Sequence, residues 1–282
     1  MMEFFIFGVA NKENRGPKDL TSKLATLTGY LPMQPYHSFG FHYSKWEMID
    51  TDYLISLLDL FNKMEMPVDN IWLDIDYAPQ RRYFVFEKDN FRGFHKFLTK
   101  VELQKKRLTI ITDPHIKLDE KYFVYSHGKQ VKIANDEDGN PIRGVFIRDS
   151  DGISDFEGEC WPKESVWVDF LNENSQKYWQ SLYSYDKFIG TNKLFGYWID
   201  MNEPSVFSED ELTMPKKAVH LTKDNVRYDH KDLHNAYGIL MAKASYEGIL
   251  DREISRSLRP FLLSRSVFFG SQKYGAMWTG DN

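Results

Sequence analysis

Short apolar runs that stop abruptly on a polar or charged residue recur along this chain. Between them lie stretches whose apolar residues return every three or four positions. Six runs read as β-strands: residues 38–43, 70–77, 108–112, 194–199, 260–264 and 276–279. Leu54, Leu57, Leu58 and Phe61 fall at i, i+3, i+4 and i+7, one face of a helix that Asp50 or Thr51 can cap. Phe91, Phe94, Leu98 and Val101 mark a second helix, and residues 175–188, with Tyr178, Trp179, Leu182 and Tyr185 on one side, a third. Leu233, Tyr237, Leu240, Met241 and Ala244 mark a fourth. Ahead of all of these, residues 4–7 read as the end of a β structure and residues 18–28 as a helix with Gly29 at its C′ position. Strands alternating with helices predict a parallel sheet with right-handed crossovers.

Two stretches break the alternation. Residues 117–160 are rich in Gly, Asp and Lys, with a turn signal at 136–141 whose flanks, 129–133 and 143–147, read as a hairpin. This is expected to be a loop insertion after the third strand. Residues 208–230 read as a long polar loop. A TIM barrel closes with eight strands, so the expected fold is α/β: an incomplete (β/α)8 barrel of about six strands. Residues 1–30 are expected to form the end of an N-terminal β region and a linker helix, and residues 31–282 the truncated barrel. The chain is accordingly expected to be a fragment of a longer enzyme.

Composition narrows the function classes. Of 282 residues, 42% are hydrophobic and 27% charged, ordinary for a globular protein. The net charge is −5, and the densest basic spot, Lys105 to Arg107, is too short for a nucleic-acid or membrane-surface patch. No apolar run approaches the roughly 18 residues that span a bilayer. The N-terminus carries Glu3 where a signal peptide would carry a base, and it reads as a strand. The single cysteine, Cys160, excludes an intrachain disulfide. Aromatic residues reach 16%, with seven Trp, which suits stacking on sugars and packing a core alike.

The candidate chemistry sits where two strands end. Phe195-Gly-Tyr-Trp-Ile-Asp200 turns polar at Asp200, and Ala276-Met-Trp-Thr-Gly-Asp281 has the same grammar. Conserving the anomeric configuration of an acetal requires two carboxyl groups about 5–5.5 Å apart, one a nucleophile and one an acid/base. Asp200, among polar neighbours, suits the charged role; Asp281, after Trp278 and Gly280, suits the protonated one. A single Asp at such an exit reads equally as a cap for the turn that follows. Taken alone, Asp74 reads equally as a solvated strand end and Arg265 as a structural ion pair. Trp161, Trp278, Met201, Ile75 and Ile111 read as core. His37 and His42 have no metal-ligand partner at usable spacing, and His234 reads as a structural helix residue.

Trp198-Ile-Asp-Met-Asn-Glu-Pro204 and Trp278-Thr-Gly-Asp-Asn282 resemble the two signatures of glycoside hydrolase family 31, the α-glucosidases. Asn202-Glu-Pro-Ser-Val-Phe207, Asp232-Leu-His-Asn-Ala-Tyr-Gly238, Pro260-Phe-Leu-Leu-Ser-Arg265, Asp113-Pro-His-Ile-Lys117 and Cys160-Trp-Pro162 resemble its glucosidase II catalytic branch. The resemblance implies that Asp200 is the nucleophile and Asp281 the acid/base. It implies that Asp74 binds distal hydroxyls of the glucose, and that Arg265 bonds the sugar and biases Asp281. Trp161, Trp198, Met201, Ile75, Ile111 and Trp278 would line the pocket. No cofactor and no metal are implied. The branch implies trimming of glucose from N-glycans in the endoplasmic reticulum, with a lectin-like regulatory β subunit as partner. Departures keep two other readings open. Ile199 resembles the starch- and maltose-digesting branch, and residues 76–83 match neither text. The family's remaining barrel strands, one of which brings a histidine to the pocket, lie beyond Asn282, so a remnant without catalysis is the third reading, and the fragment by itself is expected to be inactive.

Overall fold

A computed structural model describes residues 6–8, 16–252 and 258–280. Its centre is a curled parallel sheet of six strands: β1 (Phe41–Tyr43), β2 (Val68–Leu73), β3 (Arg107–Ile111), β4 (Phe195–Ile199), β5 (Leu262–Ser264) and β6 (Ala276–Met277). The spatial order follows the chain order, and every neighbouring pair is parallel. This is the incomplete (β/α)8 barrel that the alternation predicts. The expected strand at 4–7 lies largely outside the described residues, and Ile6–Gly8 carry no regular structure.

The helices follow their apolar stripes. Thr51–Lys63 buries Leu54, Leu57, Leu58 and Phe61, and the Asp50 carboxylate caps it by accepting Tyr53 N–H at 2.7 Å. Phe94–Leu103 buries Phe94, Phe97 and Val101, while Phe91 packs in the turn before it. Glu173–Leu182 packs along Tyr237–Asp251, and the Trp179 indole N–H donates to Ser245 Oγ at 2.9 Å across the seam. Gly16–Thr28 buries none of its residues; it ends at Gly29, whose φ of +99° suits a glycine.

Several boundaries differ from the sequence expectation. The second strand stops at Leu73, because the Asp74 carboxylate takes Ile75 N–H and starts a 3-10 turn over Ile75–Tyr77. The segment after β3 is more ordered than a loop. His115–Lys117 pairs with Lys163–Trp167, which pairs in turn with Gly158–Cys160. The hairpin joins Lys132–Asn135 to Pro141–Arg143, a tighter bracket around the turn than expected. Val145, Phe146 and Ile147, read as its second strand, point into the core instead.

The polar loop 208–230 is also partly buried. Val219–Leu221 pairs with Arg227–Asp229, placing His220 and His230 in the interior. There Asp169, His220, His230 and His234 form a chain of hydrogen bonds of 2.7, 2.9 and 2.8 Å. Histidines scattered through a polar sequence give no sign of pairing with each other, which is why the periodicity misses this cluster.

Candidate active site

Four neighbouring strand ends carry charged side chains: Asp74 follows β2, Asp113 follows β3, Asp200 follows β4 and Arg265 follows β5. The ladder runs on past the strands. Thr112 N–H donates to the Trp198 carbonyl at 2.8 Å, and Arg265 N–H to the Ile199 carbonyl at 3.2 Å. Ile111 is opposite Trp198 and Ser264 opposite Ile199, so the register carries Asp113 and Arg265 to either side of Asp200. Strands lie about 4.8 Å apart, and residues in register share a face.

Asp200 is held from two sides. Its Oδ1 accepts Met201 N–H at 2.8 Å and lies 3.0 Å from Arg265 Nε. Asp74 accepts Ile75 N–H in the same manner at 2.7 Å. Both carboxylates therefore cap their own turns, and the capping fixes the side chain. Met201 sits at φ +57°, unusual for a side chain of this kind, and turns the backbone away immediately after Asp200. Its sulfur lies 3.0 Å from Arg265 Nη2.

Arg265 also grips Glu203 through both oxygens, Nε to Oε1 at 2.8 Å and Nη2 to Oε2 at 2.9 Å. Burial pushes the Glu203 carboxyl up, but the hydrogen bonds and charge of Arg265 outweigh it and hold the group below its ordinary range. Burial opposes the guanidinium charge too, and the hydrogen bonds and charges of Glu203 and Asp200 offset it.

Asn202 is fully buried and ties β4 to β5. Its amide donates to Ser264 Oγ at 2.9 Å, and its carbonyl accepts Ser266 N–H at 3.0 Å. Asn202→Ala leaves the half-buried Ser266 N–H and the buried Ser264 hydroxyl each short of a partner, so we expect a loss of about 1–3 kcal/mol in a denaturant titration. A smaller fall in activity should accompany it, because the same bonds set the position of Arg265.

Asp113, Glu203 and Asn202 escaped the sequence reading as site residues. Asp113 had a usable signal, since it ends an apolar run as Asp200 does. Its side chain is completely buried: Oδ2 accepts Tyr83 O–H at 2.6 Å, and the Tyr83 oxygen lies 3.0 Å from His115 Nε2. Burial pushes the Asp113 carboxyl well above the carboxylate range, and the charges of Asp200 and Asp74 push the same way.

Indoles flank the acids. Trp198 stands between Trp72 and Trp278, with ring centres 5.3 and 6.0 Å away. Trp161 lies at the turn between the inserted strands, 37% exposed, with Phe207 4.9 Å from it and Trp46 5.7 Å. The insertion is fastened there, since Phe207 N–H donates to the Glu159 carbonyl at 2.7 Å. Ile75 and Ile111 are core residues with little free surface; the Ile111 carbonyl accepts Tyr77 O–H. Asp281 lies outside the described residues. Among the described residues no group of three or more His, Cys, Asp or Glu side chains is arranged to hold a metal ion. A separate cavity of about 530 Å³ opens at the opposite, N-terminal end of the sheet, lined by Lys105, Arg107, Lys193, Arg252 and Arg259 together with Asp69. It contains none of the groups described above.

A carboxylate fixed in one rotamer, paired to a guanidinium and flanked by indoles, is equipped to meet an electron-poor carbon on an apolar-faced ring. The profile of the glycosyl hydrolases family 31 TIM-barrel domain matches residues 31–282. Neutral alpha-glucosidase C of Mus musculus is 37% identical over 266 residues, which are 94% of this chain and 28% of that protein. The crystal structure of a glucosidase II alpha subunit bound to alpha3-Glc2 superposes with a TM-score of 0.84 at 38% identity, covering 94% of this chain and 27% of that one. The alpha subunit in a crystal structure of the ER glucosidase II heterodimer, a catalytic subunit with the binding domain of a regulatory subunit, has the same score at 39% identity and the same coverage. The chain thus spans under a third of the length of these relatives.

Proposed function

The chain belongs to glycosyl hydrolase family 31, and from that membership we propose that it is the catalytic barrel of a retaining α-glucosidase that trims terminal α-linked glucose from N-glycans. The observation that carries the reading is Asp200, a carboxylate locked by Met201 N–H and Arg265 Nε at the rim of a parallel barrel sheet. In this reading Asp200 attacks the anomeric carbon while Asp281 gives its proton to the leaving oxygen, forming a β-glucosyl ester on Asp200. Asp281 then takes a proton from water, whose oxygen displaces Asp200 and releases glucose with its α configuration. Asp74 binds distal hydroxyls, Arg265 bonds the sugar, and Trp161, Trp198, Met201, Ile75, Ile111 and Trp278 surround it. Support for the substrate class comes from the glucosidase II subunits of comparable fold, one of them carrying an α3-linked glucose disaccharide. The heterodimer supports a regulatory partner subunit, and its description as ER glucosidase II supports the endoplasmic reticulum as the compartment.

The test is the anomer first released. The chain is expressed with whatever coding sequence flanks it and given p-nitrophenyl α-glucoside, and proton NMR follows the product before mutarotation. We expect α-glucose first. β-Glucose first would exclude double displacement, and no turnover by a folded protein would exclude the enzyme reading. An α1,3-linked glucose disaccharide should be preferred to maltose in kcat/KM by about tenfold, an energy of ~1.4 kcal/mol; the reverse order would assign the chain to the starch- and maltose-digesting branch.

A further inference from the structure

Four carboxyl groups meet at this rim, Asp74, Asp113, Asp200 and Glu203, and one guanidinium, Arg265, serves two of them directly. Asp113 is the one in the middle. By register it stands beside Asp200, with the end of β2 and Asp74 on its other flank. It is also the most enclosed, with no exposed surface. Like charges side by side in a dry place do not all persist; one of them takes up a proton.

The surroundings of Asp113 suit a neutral acid. Among the described residues the titratable groups around it include Asp74, at the end of β2. Tyr77 and Tyr83 come from the segment after β2, His115 from its own segment, Cys160 from the insertion, Asp200 from β4 and Arg265 from β5. His115 is fully buried, and burial followed by the charge of Arg265 keeps it unprotonated, down to about 3. A neutral His115 can donate from Nε2 to the Tyr83 oxygen, and Tyr83 O–H then points at Asp113 Oδ2. That chain supplies one hydrogen bond and no positive charge. Oδ1 of Asp113 has no hydrogen-bond partner among the described residues. A buried carboxylate would leave charge on that unsolvated oxygen; protonation removes the charge, and burial with the neighbouring carboxylates outweighs the Tyr83 hydrogen bond and the Arg265 charge that favour the anion.

We propose that Asp113 is a positioning residue for the reaction, a carboxylic acid kept protonated between Asp74 and Asp200, which leaves the charge of Arg265 to Asp200 and Glu203. This rests on the assignment of Asp200 as nucleophile. A second negative charge in register with Asp200 would disfavour the ionised nucleophile and compete for its guanidinium. A neutral Asp113, directed by the His115–Tyr83 chain, fills the same space without either effect.

The decisive experiment needs no turnover, so it separates this proposal from the glucosidase reading. Thermal unfolding of the wild type and of Asp113→Asn is followed from pH 4 to pH 8. In the unfolded chain Asp113 ionises near its ordinary value of 3.8. If it stays protonated when folded, its contribution to stability is present below that pH and declines as the pH rises toward the folded value. Asparagine has no such dependence. The melting temperature of Asp113→Asn should therefore gain steadily on the wild type between pH 4 and pH 7. The infrared difference between the two proteins at pH 7 should show the carbonyl stretch of a protonated acid. A constant gap in melting temperature, or carboxylate bands in the difference spectrum, would overturn the proposal. Kinetics then test the positioning role. Asp113→Asn should keep kcat within about threefold, and Asp113→Ala should lose about tenfold in kcat with KM little changed. A large loss of kcat in a folded Asp113→Asn protein would mean that the negative charge is required, and would equally overturn it.

Discussion

Asp200→Asn is expected to reduce kcat for an aryl α-glucoside by at least about 10⁴-fold, with the fold intact by circular dichroism. Asparagine keeps the shape of the side chain and an oxygen that can still accept Met201 N–H. It loses the negative charge that Arg265 Nε faces at 3.0 Å and the nucleophilic oxygen itself. A purely capping Asp would be replaced at a loss of some tenths to 2 kcal/mol in stability and almost none in rate. The two roles therefore predict opposite results from one substitution. Asp200→Gly supplies a second test, because azide can occupy the space left by the carboxylate. Azide attacking from that side should yield β-glucosyl azide. Residual activity above about 1% in Asp200→Asn, or α-glucosyl azide from Asp200→Gly, would remove Asp200 from the nucleophile's place.

Much of this site is legible in the sequence because a parallel barrel strand has a simple grammar. The strand is buried, so it reads as a continuous apolar run, and its end is where polarity changes. That logic finds Asp200, and the family resemblance adds Asp74 and Arg265; in the structure the three directly follow β4, β2 and β5. The same logic applied to the run before Asp113 would have found it too. What the sequence does not reveal is pairing across strands. That Asn202 bonds Ser264 and Ser266, some 62 and 64 residues on, follows only from the register of β4 with β5. The His220–His230–His234 chain depends on a short antiparallel pair in a stretch without periodicity. Strand ends are blurred for a local reason. A carboxylate that takes the next N–H, as Asp74 does, terminates the strand, although Ile75 and Tyr77 continue its apolar pattern.

Arg265→Lys is expected to lower kcat/KM by about 10²–10³-fold, the range seen when a single stabilising donor is removed from an active site. The substitution keeps the charge, so charge alone is not what fails. Nε serves Asp200 and Glu203 together, while Nη2 reaches Glu203, Met201 Sδ and Ser205 Oγ. An ammonium is a single point and cannot hold two carboxylates in that fixed relation. Arg265→Met removes the charge as well, and stability should then report it. Arg265 holds the Glu203 carboxyl below its ordinary value of 4.5. A carboxylate lowered in the fold contributes stability above that pH and loses it as the pH falls through the folded value. The melting temperature of Arg265→Met should thus fall below that of the wild type at pH 7, and the gap should close as the pH drops below the ordinary glutamate value of 4.5 and through the folded one. The deficit at pH 7 should be about 2 kcal/mol, less than the ~3–5 kcal/mol of a fully buried pair, since the Glu203 side chain retains 35% of its exposure. A gap unchanged with pH would mean that Arg265 acts on the fold through packing rather than through its carboxylates. Arg265→Lys retaining more than a tenth of wild-type kcat/KM would show that the geometry of the fork is not what positions Asp200.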